Sequence, residues 1–113
     1  LTTDIHPVQR PWAERQATWP LATTGTSWSA PGCSDPSTDY GASVATQDIY
    51  TINEWHEWDI TPLVQGWVAV PASNYGLVLK GSGTTSVEYT YATADYWSAQ
   101  TYSPKLVVRY STP

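Results

Sequence analysis

Any core that this chain forms must be built largely from tryptophan and tyrosine. Its 113 residues include seven Trp and eight Tyr but neither Phe nor Met. Buried Trp and Tyr need hydrogen-bond partners for their polar edges, and the same side chains suit interfaces where one side stays wet. The chain therefore has to place large rings both in its interior and on its surface. Its length accommodates at most one domain.

Short apolar runs separated by turn residues predict an all-β fold. Strands are expected over residues 3–8, 17–19, 42–47, 55–60, 77–79, 86–92 and 106–110, with a polar loop over residues 21–39. Pro7 restricts the first strand to a sheet edge or a bulge, and the 81–83 Gly-Ser-Gly triplet predicts a hairpin turn. Strict alternation puts Val87, Tyr89 and Tyr91 on one face of their strand.

One short helix interrupts this pattern. Thr61 is a good N-cap residue, Pro62 suits the first helical position, and Pro71 ends the run. Between them, apolar residues recur at the spacing of one helical face. The sequence therefore predicts a helix of about two turns near residues 62–70.

Charge and cysteine content exclude several classes of protein. Only 13% of the residues are charged and the net charge is -5, so no basic cluster is present to bind nucleic acid. No apolar run is long enough to predict insertion into a membrane. Cys33 is the single cysteine and cannot form an internal disulfide. It is either an inert loop residue or a thiol paired with a missing segment or another chain.

No set of residues predicts catalysis or a metal site. Glu54 and His56 would share one face of the 55–60 strand region, but two ligands at this spacing are too few for a metal ion. A polar outer strand face explains them better. Asp35 and Asp39 are expected in a solvated loop, because their spacing matches no calcium-binding loop. The chain is predicted not to be an enzyme and to carry no cofactor.

Three motifs resemble a known family. They are Trp12-Ala-Glu-Arg-Gln-Ala-Thr-Trp19, then Trp58-Asp-Ile-Thr-Pro-Leu-Val-Gln-Gly-Trp67, then Asn74-Tyr-Gly-Leu-Val-Leu79, and a closing Pro-x-Leu strand follows at residues 104–110. Their order resembles the DNRLRE domains, which are extracellular β-sandwich modules of large secreted proteins, some of whose relatives are carbohydrate-binding modules. The resemblance implies an antiparallel, jelly-roll-like β-sandwich at the cell surface or outside the cell.

The resemblance starts part-way into the family's pattern. The naming hexapeptide is absent, and residues 91–95 read Tyr-Ala-Thr-Ala-Asp where many members carry Ser-Arg-Glu. Residues 1–113 are therefore expected to form a single, partial β-sandwich module. Because exposed strand edges attract further strands, we expect other protein chains, or a separated part of the same one, to complete it.

Three functions are compatible with these features. The first is a non-catalytic structural subunit of a surface or filament assembly, completed by strand addition; the alternative is a carbohydrate-binding module attached to a larger secreted protein. A small hydrolase fragment is the poorest hypothesis, for want of a nucleophile and base.

Aromatic residues in loops or at strand ends are the candidate ligand-binding residues, where a ring stacks on a sugar or packs on a neighbouring subunit. They are Trp28, Tyr40, Trp55, Tyr96 and Trp97. The core is assigned to Trp12, Trp19, Trp58, Trp67, Leu77 and Leu79. The acidic net charge makes a polyanionic glycan the less favoured ligand, unless Arg10 and Arg15 converge with Lys105.

Overall fold

The computed structural model describes residues 1–83, 86–94 and 102–113. Within them the fold is mostly β, with antiparallel sheets and one short helix, consistent with a small β-sandwich. The elements in chain order are β1 (Thr2–Pro7), β2 (Leu21–Thr23), β3 (Thr26–Ser27), β4 (Ala45–Asp48), α1 (Thr61–Ala69), a one-turn 3₁₀ helix (Pro71–Ser73) and β5 (Leu77–Ser82). The predicted fold class is confirmed. No helix in this part of the chain is long and apolar enough to cross a bilayer.

The first strand is the centre of a three-stranded antiparallel sheet with the order β4-β1-β5. It pairs with β4 from Thr2 to Ile5 and with β5 along its whole length. Thr3 and Ile5 are buried, as expected for alternate residues on one strand face. The predicted edge position of β1 is wrong. Pro7 is its last residue, where the ladder ends, and the Pro7 carbonyl still accepts the N–H of Gly41.

A two-stranded hairpin, β2 and β3, lies inside the segment that was predicted to be a loop. Gly25 makes its turn with a φ of 83°, which glycine adopts without steric cost. The strand predicted at residues 17–19 is not formed. The N–H of Ala17 donates to the carbonyl of Ala13 at 2.8 Å, so the backbone there is hydrogen-bonded locally rather than to another strand.

The helix forms where Pro62 and Pro71 predict it, with Pro62 in its first turn and Pro71 just after its end. It begins at Thr61, and Ile60 rather than Thr61 occupies the N-cap position. Asp59 stabilises this end, because its Oδ1 accepts the hydroxyl of Thr61 at 2.6 Å and the backbone N–H of Thr61 at 3.0 Å. These two hydrogen bonds, the hydroxyl one first, lower the pKa of Asp59.

Three predicted strands are not formed: 55–60, 86–92 and 106–110 carry neither helix nor strand. The first of these segments contacts the sheet through a side chain, since the indole N–H of Trp58 donates to the Thr3 carbonyl at 3.2 Å. Val87 and Tyr91 of the alternating segment are exposed. Alternation produces a strand only where a neighbour takes its backbone hydrogen bonds, and no strand of the described chain does so here.

The core is built mainly from small and aliphatic side chains together with one indole. Ile5 of β1 and Ile49, which follows β4, are buried. A cluster of buried residues comprises Val8, Ala22, Trp28 and Cys33, with Tyr40, Tyr75 and Val78 packed against it. The assignment of Trp12, Trp19 and Leu79 to the core is wrong, because they are 40%, 71% and 43% exposed. The indole that the β2–β3 hairpin brings inside is that of Trp28.

Candidate functional site

An open cleft of about 700 Å³ lies between α1 and the end of β1. Pro7, Val8 and Gln9 form one wall, and the helix forms part of the other. The first wall is held on both sides, because the N–H of Val8 donates to Gly76 O at 3.1 Å and the N–H of Gln9 donates to Asp39 O at 2.9 Å. It is therefore a preformed surface.

The helix lines the cleft with Leu63, Gly66 and Trp67. Residues three and four apart share one helical face, which is why these positions occur together. Leu63 is buried and Trp67 is half-buried. Apart from its chain neighbours and the helix backbone, a Cβ atom on Gly66 would meet no atom within 4 Å, so this position of the helix is open.

Tyr75 supplies a second ring to the cleft. Its carbonyl accepts the indole N–H of Trp12 at 2.6 Å, and the next residue, Gly76, donates its N–H to Asn74 Oδ1 at 3.0 Å. These bonds fix the backbone that carries the phenol ring. Within the described residues, neither the Trp67 indole N–H nor the Tyr75 hydroxyl has a hydrogen-bond partner, so both groups are available to a ligand.

Hydroxyl and amide groups complete the lining. Ser37 and Thr38 form part of it, and Asp35 holds them in place. Its Oδ1 accepts the hydroxyl of Ser37 at 2.6 Å and the backbone N–H groups of Ser37 and Thr38 at 2.8 and 3.1 Å. These bonds, led by the Ser37 hydroxyl, lower the pKa of Asp35. Gln9 and Ser73 add an amide and another hydroxyl to the lining.

A fully buried carboxylate anchors the loop behind this rim. Asp39 accepts the backbone N–H groups of Ser29, Ala30 and Asp35 at 2.9 to 3.1 Å and pairs with the Arg10 guanidinium at 3.1 Å. Burial by itself raises the pKa of Asp39, but the three N–H groups and the guanidinium outweigh it and hold the pKa well below its ordinary value. We call residues 28–41 the anchored loop.

Cys33 belongs to the same loop and is buried. Its thiol donates to the Asp39 carbonyl at 3.6 Å. Burial, and then the charge of Asp39, raise the pKa of the thiol. A buried thiol with a raised pKa is poorly reactive, which favours the inert interpretation of Cys33 over a disulfide with another chain.

The described lining of the cleft is uncharged. Among the described residues, no lining side chain is charged, and no three His, Cys, Asp or Glu side chains gather to hold a metal ion. Because residues 55–60 form no strand, Glu54 and His56 do not share a strand face, and Glu54 accepts the hydroxyl of Thr51 instead. The cleft offers ring faces and neutral hydrogen-bonding groups.

Three of the five aromatic residues predicted to bind a ligand lie in the described chain, and none of them lines the cleft. Trp28 is only 9% exposed, so the open ring face expected of it is not present. Its indole N–H donates to the Thr18 carbonyl at 3.2 Å. Tyr96 and Trp97 lie outside the described residues.

Tyr40 and Trp55 each have a cation over the ring. Tyr40 is half-buried, with the Lys80 ammonium 4.5 Å from its ring centroid. Trp55 is 53% exposed, with the Lys105 ammonium at 5.0 Å. Arg10 is paired with Asp39 and Lys105 lies over Trp55, so these two cations are engaged at separate places.

Sequence reasoning missed the two rings of the cleft. Trp67 is predicted to lie in the core because it falls on the apolar helix face, and Tyr75 is not among the candidate ligand-binding residues. The sequence signal near these rings is Gly66, which leaves one position of the helix without a side chain.

Comparison with known proteins identifies the family. Residues 1–110 match the model of carbohydrate-binding module family 96. Comparisons with curated proteins and with solved structures gave no significant match. The family match spans β1 to β5 and includes every residue that lines the cleft. The chain belongs to carbohydrate-binding module family 96.

Proposed function

We propose that this chain is a non-catalytic module that binds a polysaccharide in the cleft between α1 and β1. The observation that carries the proposal is the lining of that cleft by Trp67 and Tyr75 together with uncharged polar side chains. Membership of a carbohydrate-binding family supports it.

The lining of the cleft is chemically complementary to a sugar ring. A pyranose has an apolar face of C–H groups and a rim of hydroxyls, so it needs a planar ring and neutral donors and acceptors. Trp67 and Tyr75 offer the rings, and Ser37, Thr38 and Gln9 offer the polar groups. A charged sugar would meet no opposite charge among the described lining residues, so a neutral polysaccharide is the preferred ligand class.

The family match favours glycan binding over the predicted structural role. A filament subunit completed by added strands has no support from it. The finer likeness to DNRLRE domains, and attachment to a larger secreted protein, remain predictions. Carbohydrate-binding modules typically act outside the cell or at its surface, and we place this chain there.

Binding through Tyr40 and Trp55 remains an alternative within the same function. A sugar would have to share each ring with the cation above it, Lys80 or Lys105. Tyr96 and Trp97 keep the same predicted role. Retention of a Trp55→Ala variant on the polysaccharide distinguishes the two sites. Loss of retention would support binding through Trp55, and unchanged retention would support the cleft.

The test blocks the cleft without removing any packed side chain. Gly66→Gln introduces a long, helix-compatible side chain at an open position of the cleft wall, and replacing a helical glycine stabilises the helix by up to about 1 kcal/mol. Val68→Gln is the matched control, because Val68 is 76% exposed on the same helix and does not line the cleft. Both variants are compared with the parent for retention on insoluble β-1,4-glucan, β-1,4-mannan and β-1,4-xylan.

We expect the parent and Val68→Gln to be retained equally on at least one of these polysaccharides and Gly66→Gln to pass through. Thermal unfolding of both variants checks that the fold persists. Equal retention of Gly66→Gln and parent would place binding outside the cleft. Absence of parent retention on every neutral and acidic polysaccharide tried would reject glycan binding.

A further inference from the structure

The 104–110 segment has the pattern of a two-faced strand but no partner strand. When the chain is extended, its alternate residues divide into an apolar face and a mostly basic face. The apolar face comprises Leu106, Val108 and Tyr110, and the other face comprises Lys105, Val107 and Arg109. Every residue of the segment is exposed, and among the described residues no backbone group of it takes part in a hydrogen bond. A neighbouring strand would satisfy this backbone and cover the apolar face.

The outer edge of β4 is an open position of the three-stranded sheet. Among the described strands, β4 pairs only with β1. The N-terminal ammonium of Leu1 donates to Ile49 O at 3.1 Å, and the N–H of Ile49 donates to Leu1 O at 2.7 Å. Because hydrogen-bonded positions alternate along an antiparallel pair, the backbone groups of Thr46 and Asp48 point away from β1. Both residues are exposed, so this edge is accessible to an added strand.

The two faces of the sheet differ chemically at this edge. One face is buried and includes Ile5 of β1. The other carries two carboxylates, because Asp48 accepts the hydroxyl of Thr2 at 2.8 Å and Asp4 accepts the hydroxyl of Thr46 at 2.7 Å. Each of these bonds joins residues that lie opposite each other in β1 and β4, so both carboxylates are on the same face.

A strand with one apolar face and one basic face fits this edge. If Lys105 is placed opposite Asp48 in an antiparallel register, Val107 lies opposite Thr46 and the basic side chains join the carboxylate face. The apolar side chains of the segment then extend the buried face that contains Ile5. A shift of one residue would exchange the two faces, so the register is specified.

Other pairings of the segment bring like charges together. If two copies of the segment paired with each other about Val107, Lys105 of one copy would lie opposite Arg109 of the other, which is unfavourable. The second outer strand of the sheet, β5, carries Lys80. The β4 edge is therefore the edge of opposite charge.

We propose that two copies of this chain form a closed dimer, in which the 104–110 segment of each copy adds as an antiparallel strand to the outer edge of β4 of the other. Within one copy the segment lies elsewhere, since the Lys105 ammonium is 5.0 Å from the ring centroid of Trp55. Each copy donates one segment and accepts one, so the exchange closes with two chains. This inference does not rest on glycan binding, and it concerns a pair of chains rather than a filament.

The first test measures mass by light scattering after size exclusion, at loadings of about 5 to 500 µM. We expect the parent to rise from 12.5 kDa toward twice that mass, because one added strand per copy gives a small interface and weak association. Val107→Pro removes an N–H that would donate to β4 and should abolish the rise. Val87→Pro makes the same change at an exposed position outside the segment and should leave the rise unchanged.

The second test reverses charges to check the register. Lys105→Glu and Asp48→Lys each place like charges opposite one another and should weaken dimerisation about tenfold. An equimolar mixture of these two variants restores opposite charges at both contacts of a mixed dimer, and should associate within about threefold of the parent. The control mixes Lys105→Glu with Glu14→Lys, a reversal at an exposed position outside the sheet, and should not restore association.

Several results would overturn the inference. A parent that stays monomeric at every concentration would do so, and so would a dimer that Val107→Pro leaves intact. A mass that continues to grow beyond two chains would overturn the closed arrangement. Slow hydrogen exchange of the 104–110 amides in a monomeric parent would show that the segment pairs within its own chain. Where circular dichroism shows that Val107→Pro unfolds, the charge-reversal mixture decides, and a mixture that associates no more tightly than its components overturns the inference.

Discussion

Two irregular stretches of this molecule differ in what holds them. In the anchored loop, residues 28–41, the buried carboxylate of Asp39 accepts three backbone N–H groups and pairs with an arginine. In residues 50–60 no such group exists, and Tyr50 and Ile52 are 82% and 72% exposed. Neither stretch forms a strand. A buried charge whose hydrogen bonds are all made therefore organises a polar loop more effectively than a β-prone pattern organises a segment that has no partner strand.

The anchored loop also contributes residues to the cleft. Its residues Ser37 and Thr38 line the cleft, and Gly32 and Trp28 seat and support Trp19. The part of the cleft formed by Ser37 and Thr38 is linked to Asp39 through Asp35, whose N–H donates to Asp39 Oδ2 at 3.1 Å.

Removing the buried charge should give the largest effect. In Asp39→Asn an amide nitrogen replaces one acceptor oxygen, so at least one backbone N–H loses its acceptor and Arg10 loses its counter-charge. We expect the free energy of unfolding to fall by about 3 kcal/mol, measured by urea denaturation. Glu57→Gln, at an exposed position in residues 50–60, should change it by less than about 0.5 kcal/mol. Similar values for the two variants would remove the distinction between the stretches.

Lowering the pH should remove part of the same free energy of unfolding, because it protonates Asp39. The pKa of Asp39 is lower in the folded chain than its unfolded value of about 3.9, so its contribution is complete above that value and is lost as the pH falls through the folded pKa. We expect stability to decline progressively below about pH 4. The decline should be shallower in Asp39→Asn, followed by urea denaturation at a series of pH values. Parallel pH profiles for the variant and the parent would show that another group dominates.

Unseating Trp19 should have a smaller effect on stability. Gly32→Ala places a methyl group where the ring lies and imposes a positive φ on alanine. We expect a loss of about 1 to 2 kcal/mol in the free energy of unfolding. Gly25→Ala is the control, because Gly25 also has a positive φ but its Cβ would meet nothing within 4 Å. An equal loss in both variants would assign the effect to backbone conformation alone and not to the ring.

The smallest effect is expected in residues 50–60. Ile52→Ser replaces an apolar side chain that is 72% exposed, and we expect a change within about 0.5 kcal/mol in the free energy of unfolding. Thermal and urea unfolding both measure it. A loss above about 2 kcal/mol would mean that this segment is buried against the rest of the protein in solution.

Local signals predicted the elements but not their pairing. Pro62 and Pro71 mark the two ends of the helix, and the apolar residues near Ile5 and Leu77 mark two strands. That these strands pair with each other was not predictable locally, because the paired residues are far apart in the chain. The exchange of Trp19 and Trp28 between surface and core was not predictable, because it depends on tertiary hydrogen bonds. The same holds for residues 55–60, where Trp58 reaches the sheet through its side chain.

The sequence predicted the type of residue at the candidate site but not the positions. Stacking aromatic residues were expected, but the positions that line the cleft were not, since a helix face gives no sign of whether a ring is covered. The Gly66 and Trp67 pair carries that information once the helix and β1 are known to face each other. Tyr75 enters the cleft through the turn held by Asn74 and Trp12.

The central claim, that a glycan binds in the cleft, is tested most directly by nuclear magnetic resonance of the tryptophan indoles. The ¹⁵N-labelled chain is titrated with neutral β-1,4-linked gluco-, manno- and xylo-hexasaccharides, and signals are assigned from single Trp→Phe variants. We predict that the Trp67 indole N–H signal shifts with ligand concentration, while that of Trp58, bonded to Thr3 O, stays in place. A shift confined to Trp55, or an unchanged Trp67 signal with an oligosaccharide that binds, would contradict it.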